Sequence, residues 1–293
     1  MSGEKILAPG LYLVATPIGN LEDITLRALR VLAQVDRIAC EDTRQTQKLL
    51  NHFDIKKPTV SYHAHNESER AEDLMEELRA GGKIAIVSDA GTPGIADPGG
   101  RIVEAAIAAG VPVFPVPGAN AAVSALIASG LPGESFYFHG FLPSKPGQRK
   151  TFLEKLKADP SAAPRDDRQT EPTHVFYDSP QRIVETLRDV EAVFGAWQGV
   201  VVARELTKLH EEFLRGTVAE VRETLAARDQ VRGEIVLLLS GEFAAEQTTE
   251  SIADAVASLM KNGLSEKDAL KRVARDRGLG KSDAYREWQR SKS

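Results

Sequence analysis

Ser88-Asp89-Ala90-Gly91-Thr92-Pro93-Gly94-Ile95-Ala96-Asp97-Pro98-Gly99-Gly100 is the stretch from which the rest of the chain can be read. It follows the apolar run Ile84-Ala85-Ile86-Val87, short enough for a buried parallel strand, and precedes Arg101 to Ala109, whose amphipathic pattern predicts a helix. It is therefore a loop at the carboxyl end of a strand, where open α/β sheets place their ligands. Four glycines and two prolines in thirteen residues shape a rigid main-chain surface, because glycine admits φ > 0 and proline fixes φ. An ordinary turn-rich connection explains one such loop. Similar loops elsewhere in the chain favour a ligand site.

Those loops emerge in order. Leu11 to Ala15 reads as a first buried strand, with Thr16-Pro17-Ile18-Gly19-Asn20 after it. Apolar residues between Ile24 and Val35 predict a helix packed on a sheet. Arg37 to Cys40 is a second strand, followed by Glu41-Asp42-Thr43-Arg44 and a helix to about His52. Val60 to His63 is a weaker strand or loop. Asn66-Glu67-Ser68-Glu69 has the spacing of a capping box and opens a helix to Ala80. Val111 to Val116 is a further strand, and Pro117-Gly118-Ala119-Asn120 leads into a small-residue helix ending at Ser129. Repeated strand–loop–helix order predicts a parallel sheet covered on both faces.

The second half has a different rhythm. Strands are expected at Ser135–His139, His174–Tyr177, Val200–Ala203, Glu212–Arg215 and Glu234–Leu239. Helices are expected at Gln148–Lys157, with a basic face, and at Arg182–Phe194 and Val218–Ala227. Strands that follow one another without a helix imply a mixed or antiparallel sheet. Ala158 to Glu171 lacks apolar periodicity and reads as a loop. The expected organisation is α/β: an αβα parallel-sheet domain over 1–131, a mixed-sheet domain over 132–241, and a linker with a small C-terminal helical segment over 242–293. The last segment resembles a helix-turn-helix or, equally, a helical cap or dimer element.

Composition narrows the function classes. The 293 residues are 42% hydrophobic and 27% charged, as in an ordinary soluble globular protein. No apolar run is long enough to span a membrane, and Met1 to Gly10 does not resemble a secretory signal. A cytoplasmic protein without membrane contact is expected. The single cysteine, Cys40, excludes an internal disulfide and a cysteine-based metal site. Six scattered histidines lack metal-ligand spacing, so no metal is expected. The Walker A pattern Gly-x-x-x-x-Gly-Lys-Ser/Thr is absent, and so is Gly-x-Gly-x-x-Gly, which makes a nicotinamide dinucleotide a poor fit. The loops suit a neutral or cationic nucleoside-like ligand held by main-chain groups. Net charge is −5, yet Lys261 to Ser293 carries ten Lys/Arg against five Asp/Glu, leaving 27 against 37 elsewhere. A basic tail on an acidic body points to a polyanion or to a solvated helical surface.

Several of these segments are recognisable together: Leu13 to Ala28 (LVATPIGNLEDITLRA), Ala39 to Arg44 (ACEDTR), Ser88 to Gly99 and Pro115-Val116-Pro117-Gly118. Phe176 to Arg182 (FYDSPQR), Ala203 to Glu212 (ARELTKLHEE) and Gly233-Glu234-Ile235-Val236 continue the series. In this order they resemble the tetrapyrrole methylase superfamily, and within it the branch that methylates small-subunit ribosomal RNA. The resemblance covers residues 11–240 and, more loosely, the tail. Departures are Asp178 where the branch has Glu, Asn120 where it often has Ser, and an enlarged 158–171 loop.

The resemblance implies a tetrapyrrole-methylase-like two-domain fold, a homodimer, and S-adenosyl-L-methionine (SAM) as methyl donor between the domains. The implied acceptor is a ribose 2′-hydroxyl of a decoding-region cytidine in the 16S rRNA of the small ribosomal subunit. By analogy the donor would meet Pro17, Gly19, Asp89, Ala90, Gly91, Thr92, Pro117, Gly118 and Ala119, with Phe141, Leu142, Gly233 and Glu234 from the second half. Asp89 is expected to serve the donor rather than the RNA. A ribose hydroxyl is a very weak acid, so a base or cation beside it assists transfer. Candidates are Glu41, Asp42 and Arg44 with Arg204, Glu205 and Lys208, two segments expected to face the ribose across the cleft. Salt bridges between the halves are their alternative role. RNA contact requires cations, for which Arg149, Lys150, Arg182, Lys271, Arg272, Arg275 and Lys281 are the candidates. The rival readings are methylation of a tetrapyrrole and a non-catalytic RNA-binding module. Tetrapyrrole enzymes usually carry Gly-x-Gly-Pro-Gly-Asp in the first loop, where this chain has Ala15 to Asn20 (ATPIGN).

Overall fold

A computed structural model describes residues 6–63, 67–97, 99–158, 171–241, 251–261, 264–276, 285–286 and 288–290. The first half alternates as the periodicity demands: β1 (Gly10–Val14), α1 (Leu26–Gln34), β2 (Arg37–Cys40), α2 (Thr43–His52), β3 (Thr59–Ser61), α3 (Glu67–Arg79), β4 (Lys83–Val87), α4 (Gly100–Ala108) and β5 (Val113–Val116). Its five strands are all parallel, in the order β3-β2-β4-β1-β5. The two-residue period of β4 divides its side chains between two cores. Ala85 and Val87 join Ala28, Val31, Leu32 and Leu50 of α1 and α2. Ile84 and Ile86 join Leu74, Leu78, Ile102 and Ala106 of α3 and α4. Cys40 is buried, and burial pushes its thiol pKa up. The first helix starts two residues later than expected, because Thr25 acts as its N-cap and accepts a hydrogen bond from the Ala28 N–H at 3.0 Å. Asn66, the expected cap of α3, lies outside the described residues.

The second half contains β6 (Phe136–Phe141), α6 (Pro146–Ala158), β7 (Thr173–Asp178), α7 (Ile183–Phe194), β8 (Gly199–Arg204), β9 (Glu212–Thr217), α8 (Val218–Ala226) and β10 (Ile235–Leu239). The sheet order is β6-β7-β10-β8-β9, with β6 parallel to β7 and every other pair antiparallel. Helices α6, α7 and α8 cover one face. The other face is covered by α5 (Ala121–Ser129), from the first half of the chain. Ala122, Ala125 and Leu126 of α5 pack with Ile18 against Val175, Val201, Ala203, Val236 and Leu238. Small side chains let this helix sit close to the strands. It packs on the second sheet, whereas the sequence assigned it to the first domain.

In the tail, α9 (Ile252–Lys261) and α10 (Glu266–Asp276) bury Ile252, Val256, Ala269 and Val273 around Trp288. The link 242–250 and residues 277–284, on which the helix-turn-helix resemblance rests, lie outside the described residues. Among the described residues no helix is long and apolar enough to cross a membrane.

Two expectations are corrected by packing. Leu142 is a core residue of the second half, so it faces α6 and α7 instead of a ligand. The basic face expected of α6 is incomplete, because the Arg149 side chain is only 1% exposed. Its Nε lies 2.7 Å from Asp189 Oδ2 and its Nη2 is 3.8 Å from Glu185 Oε2. An ion pair that fastens α6 to α7 is not available for RNA. Arg149→Met strands two carboxylates that can partly rehydrate, so it is expected to lower unfolding stability by about 2 kcal/mol. The check is an earlier urea midpoint with unchanged slope, whereas Lys150→Ala on the exposed side leaves the midpoint in place.

Candidate functional site

Main-chain hydrogen bonds bring the strand-end loops together. The Thr16 N–H donates to Gly91 O at 2.8 Å, and the Gly91 N–H donates back to Thr16 O at 3.1 Å. Gly91 has φ +84, and a Cβ there would stand 3.2 Å from Ile18, so glycine is required on two grounds. Thr16 Oγ1 donates to Ser88 O at 3.2 Å, and Thr92 Oγ1 to Ala119 O at 3.1 Å. Asp89 Oδ1 accepts the Asp42 N–H at 2.9 Å. The loops after β1, β2, β4 and β5 thus form one edge.

That edge is one wall of a cavity of about 550 Å³, within the usual range for small-ligand sites. Asp89, Ala90, Gly91, Thr92, Ile95 and Asp97 line it from the first half, beside Ile18 and Asn120. Phe141, Tyr177, Ser179, Glu205, Lys208, Gly233, Glu234 and Val236 line it from the second. Apolar walls with a few converging polar groups match the main-chain ligand site read from the loops. Of the thirteen donor candidates, Asp89, Ala90, Gly91, Thr92, Phe141, Gly233 and Glu234 are in the lining. Pro17, Gly19, Pro117, Gly118 and Ala119 shape the loops without lining the cavity: Gly118 packs on Ala15, and Gly19 lies under the Lys208 side chain. Asp97 and Tyr177 also line the cavity, although neither is among the site candidates read from the sequence. Asp97 lies in the loop after β4, and Tyr177 is the penultimate residue of β7, at its carboxyl end.

The two walls differ in charge. Asp97 is pushed up to about 6 by burial and by the neighbouring Glu41 carboxylate, with Asp89 adding to the effect despite a hydrogen bond from Ser88. Burial and Asp89 also raise Glu41. Across the cavity, Lys208 Nζ lies 2.7 Å from Glu205 Oε1 and 3.1 Å from Glu234 Oε2. Burial opposes the Lys208 charge, but hydrogen bonds to both carboxylates outweigh it and raise the pKa. Lys208 is a fixed cation and a poor base. Glu205 and Thr207 hold φ of +52 and +64 to form its loop. Gly233, with φ +90, leaves the space that the Glu205 carboxylate fills.

The other catalytic and RNA candidates separate from this group. Glu41, Asp42, Arg44 and Arg204 are not in the lining. Asp42 caps α2, and hydrogen bonds from Arg44 hold it at about 2. Arg204 Nε is 3.0 Å from Glu212 Oε2, which Arg228 also engages, so this arginine ties β8 to β9. Arg182 pairs with the buried Asp178 carboxylate. Lys150, Lys271 and Arg272 are exposed. The Arg275 side chain and Lys281 lie outside the described residues. No group of three His, Cys, Asp or Glu among the described residues is arranged to hold a metal.

Comparison with known proteins follows the same lines. The model of the family Tetrapyrrole (Corrin/Porphyrin) Methylases matches residues 10–222. The chain is 48% identical over 281 residues to the ribosomal RNA small subunit methyltransferase I of Halalkalibacterium halodurans, covering 94% of this chain and 93% of that one. For the protein of the same name from Bacillus subtilis the figures are 43% over 282 residues, 94% and 92%. Among solved structures, diphthine synthase shares the fold with TM-score 0.58 at 14% identity, covering 78% and 89%. Uroporphyrin-III-C-methyltransferase from Thermus thermophilus gives TM-score 0.53 at 23% identity, covering 80% and 94%.

Because Asp97 has a higher pKa folded than its ordinary 3.8, the stability it contributes is complete below about pH 4 and is lost as pH rises through 6. Asp97→Asn removes this dependence. Urea unfolding at pH 4, 6 and 8 should show the wild type losing about 1 kcal/mol against the variant, after allowance for partial exposure. Parallel curves would contradict the assignment.

Proposed function

The chain belongs to the tetrapyrrole methylase family, and on that premise we propose that it methylates the ribose 2′-hydroxyl of a decoding-region cytidine in small-subunit ribosomal RNA. The donor in this reading is S-adenosylmethionine. The observation that carries it is the cavity itself, a single space reached by the loops of both sheets. Its mixture of apolar walls, main-chain edges and carboxylates fits a nucleoside that bears a positive charge. Bound there, S-adenosylmethionine supplies an electrophilic methyl group on a cationic sulfur.

The chain's own groups divide the remaining work. Asp89 to Thr92, with Gly233 and Glu234, present the edges that hold and orient the donor. The carboxylates of the first wall favour a cation over a neutral product, which helps capture before transfer and release after it. Lys208 supplies positive charge where the acceptor oxygen becomes negative, the kind of preorganised stabilisation that lowers barriers most. Glu205 and Glu234 keep that ammonium in place. The hydroxyl proton leaves as the methyl arrives, and Asp97 is a lining carboxylate suited to take it, because burial and the neighbouring Glu41 raise its pKa to about 6. Lys150 on α6 and Lys271 and Arg272 on α10 offer charge to phosphates, so the tail adds grip on the subunit. A ribosomal substrate places this work in the cytoplasm.

Purified small subunits or free 16S rRNA, incubated with labelled S-adenosylmethionine and digested to nucleosides, should yield 2′-O-methylcytidine. A product methylated on a base, or none on either RNA form, contradicts the reading. Lys208→Ala should lower turnover about 10- to 100-fold with donor affinity within twofold of wild type.

We also propose a homodimer. Its support is apolar surface on two helices of the first half: Ile107 of α4 is 65% exposed and Ile127 of α5 is 81% exposed. Light scattering should show a dimer for the wild type and a monomer for Ile127→Glu.

A further inference from the structure

Phe141 stands out in the second wall because it breaks the pattern of its own strand. Along β6 the register against β7 shifts between Phe138 and Phe141. Gly140, with φ +67, lies within that shift. The irregularity turns consecutive side chains apart: Leu142 enters the core, whereas Phe141 is 60% exposed and lines the cavity. Its ring meets that of Tyr177 at 64°, with centroids 5.5 Å apart. Tyr177 therefore braces Phe141 without stacking on it, and among the described residues no ring covers its face. The same wall carries Lys208 and Glu234.

Methyl transfer to a ribose requires the oxygen about 3–3.5 Å from the methyl group. A nucleotide held so deeply cannot remain stacked in RNA, and its base must find another partner. Proteins that read unstacked bases supply an aromatic face for this purpose. We propose that Phe141 is the platform on which the target nucleobase stacks while its ribose lies at Lys208. This inference rests on the RNA reading of the cavity and deepens it by separating the base subsite from the donor subsite. Phe141 thereby moves from the donor contacts, where the resemblance placed it, to the acceptor.

The test measures steady-state methylation of small subunits together with donor binding by calorimetry. Base–aromatic stacking of ordinary strength predicts that Phe141→Ala raises the KM for subunits about 5- to 100-fold, with the dissociation constant for S-adenosylmethionine within twofold of wild type. Phe141→Trp should restore the KM. Phe141→Leu, which keeps apolar contact with Tyr177 but has no π face, should behave like Phe141→Ala. Trp197→Ala, at an exposed aromatic in the α7–β8 turn, is the control and should match wild type. Should Phe141→Ala fail to fold, the Leu and Trp variants decide. A parallel loss of donor affinity, an unchanged KM in Phe141→Ala, or a Leu variant equal to wild type overturns the proposal. Absence of methylation by the wild type overturns the RNA reading and this inference with it. Normal wild-type methylation with indifferent Phe141 variants overturns the inference alone.

Discussion

The reciprocal pair of hydrogen bonds between Thr16 and Gly91 is the constraint on which the site depends. Each bond contributes only about 1 kcal/mol net, but together they fix where the loops after β1 and β4 lie. The bonds exist because Gly91 adopts a left-handed φ that a side chain would resist. Once this join is made, the Thr16 hydroxyl reinforces it by donating to Ser88 O, and Thr92 and Asp89 extend it to neighbouring loops through hydrogen bonds to or from the main chain. The first wall is thereby held by backbone, leaving Asp97 and part of Asp89 for chemistry. Loops of ordinary flexibility could not hold a reacting pair of atoms to within a fraction of an ångström.

The second wall solves the same problem with side chains. Lys208 is held by two carboxylates and rests over Gly19 from the other half of the chain. Two non-glycine residues in left-handed conformations shape its loop, at a cost of about 1–3 kcal/mol each. Such conformations persist only where surroundings enforce them, and here the surroundings are Glu211, which accepts the Thr207 N–H at 2.7 Å, and Glu234. A rigid cation thus faces an acidic wall across a space into which a ligand must fit.

Much of this was visible in the sequence, because periodicity reports which face of a strand or helix is buried. Four of the parallel strands follow from short apolar runs ending in polar or glycine- and proline-rich loops, whereas β3 is too short and too little apolar to read as more than a strand or loop. The second sheet follows from strands without intervening helices. What stayed hidden depended on partners distant in the chain. Arg149 sits among basic neighbours and reads as surface, yet its carboxylate partners lie some forty residues later, at Glu185 and Asp189. Helix α5 is made of small apolar residues with no polar stripe, so its sequence does not say which sheet it covers. Gly19 resembles a ligand-approach glycine, although what approaches it is the stem of Lys208. Residue types announce that a close approach occurs; the identity of the approaching group comes from the fold.

The position of α5 also bears on how the molecule holds together as a unit. Its buried side chains belong to a core whose other half comes from β7, β8 and β10. Severing the chain at Leu131 would leave that sheet with a bare apolar face and the first half with a helix that has lost its bed. The two halves are therefore not modules that evolution or an experimenter could exchange freely. They share a seam, and loosening it should melt both sheets in one cooperative transition. The cavity borders that seam, since Ile18 and Val236 belong to both, so a molecule filling it also reports on the integrity of the whole.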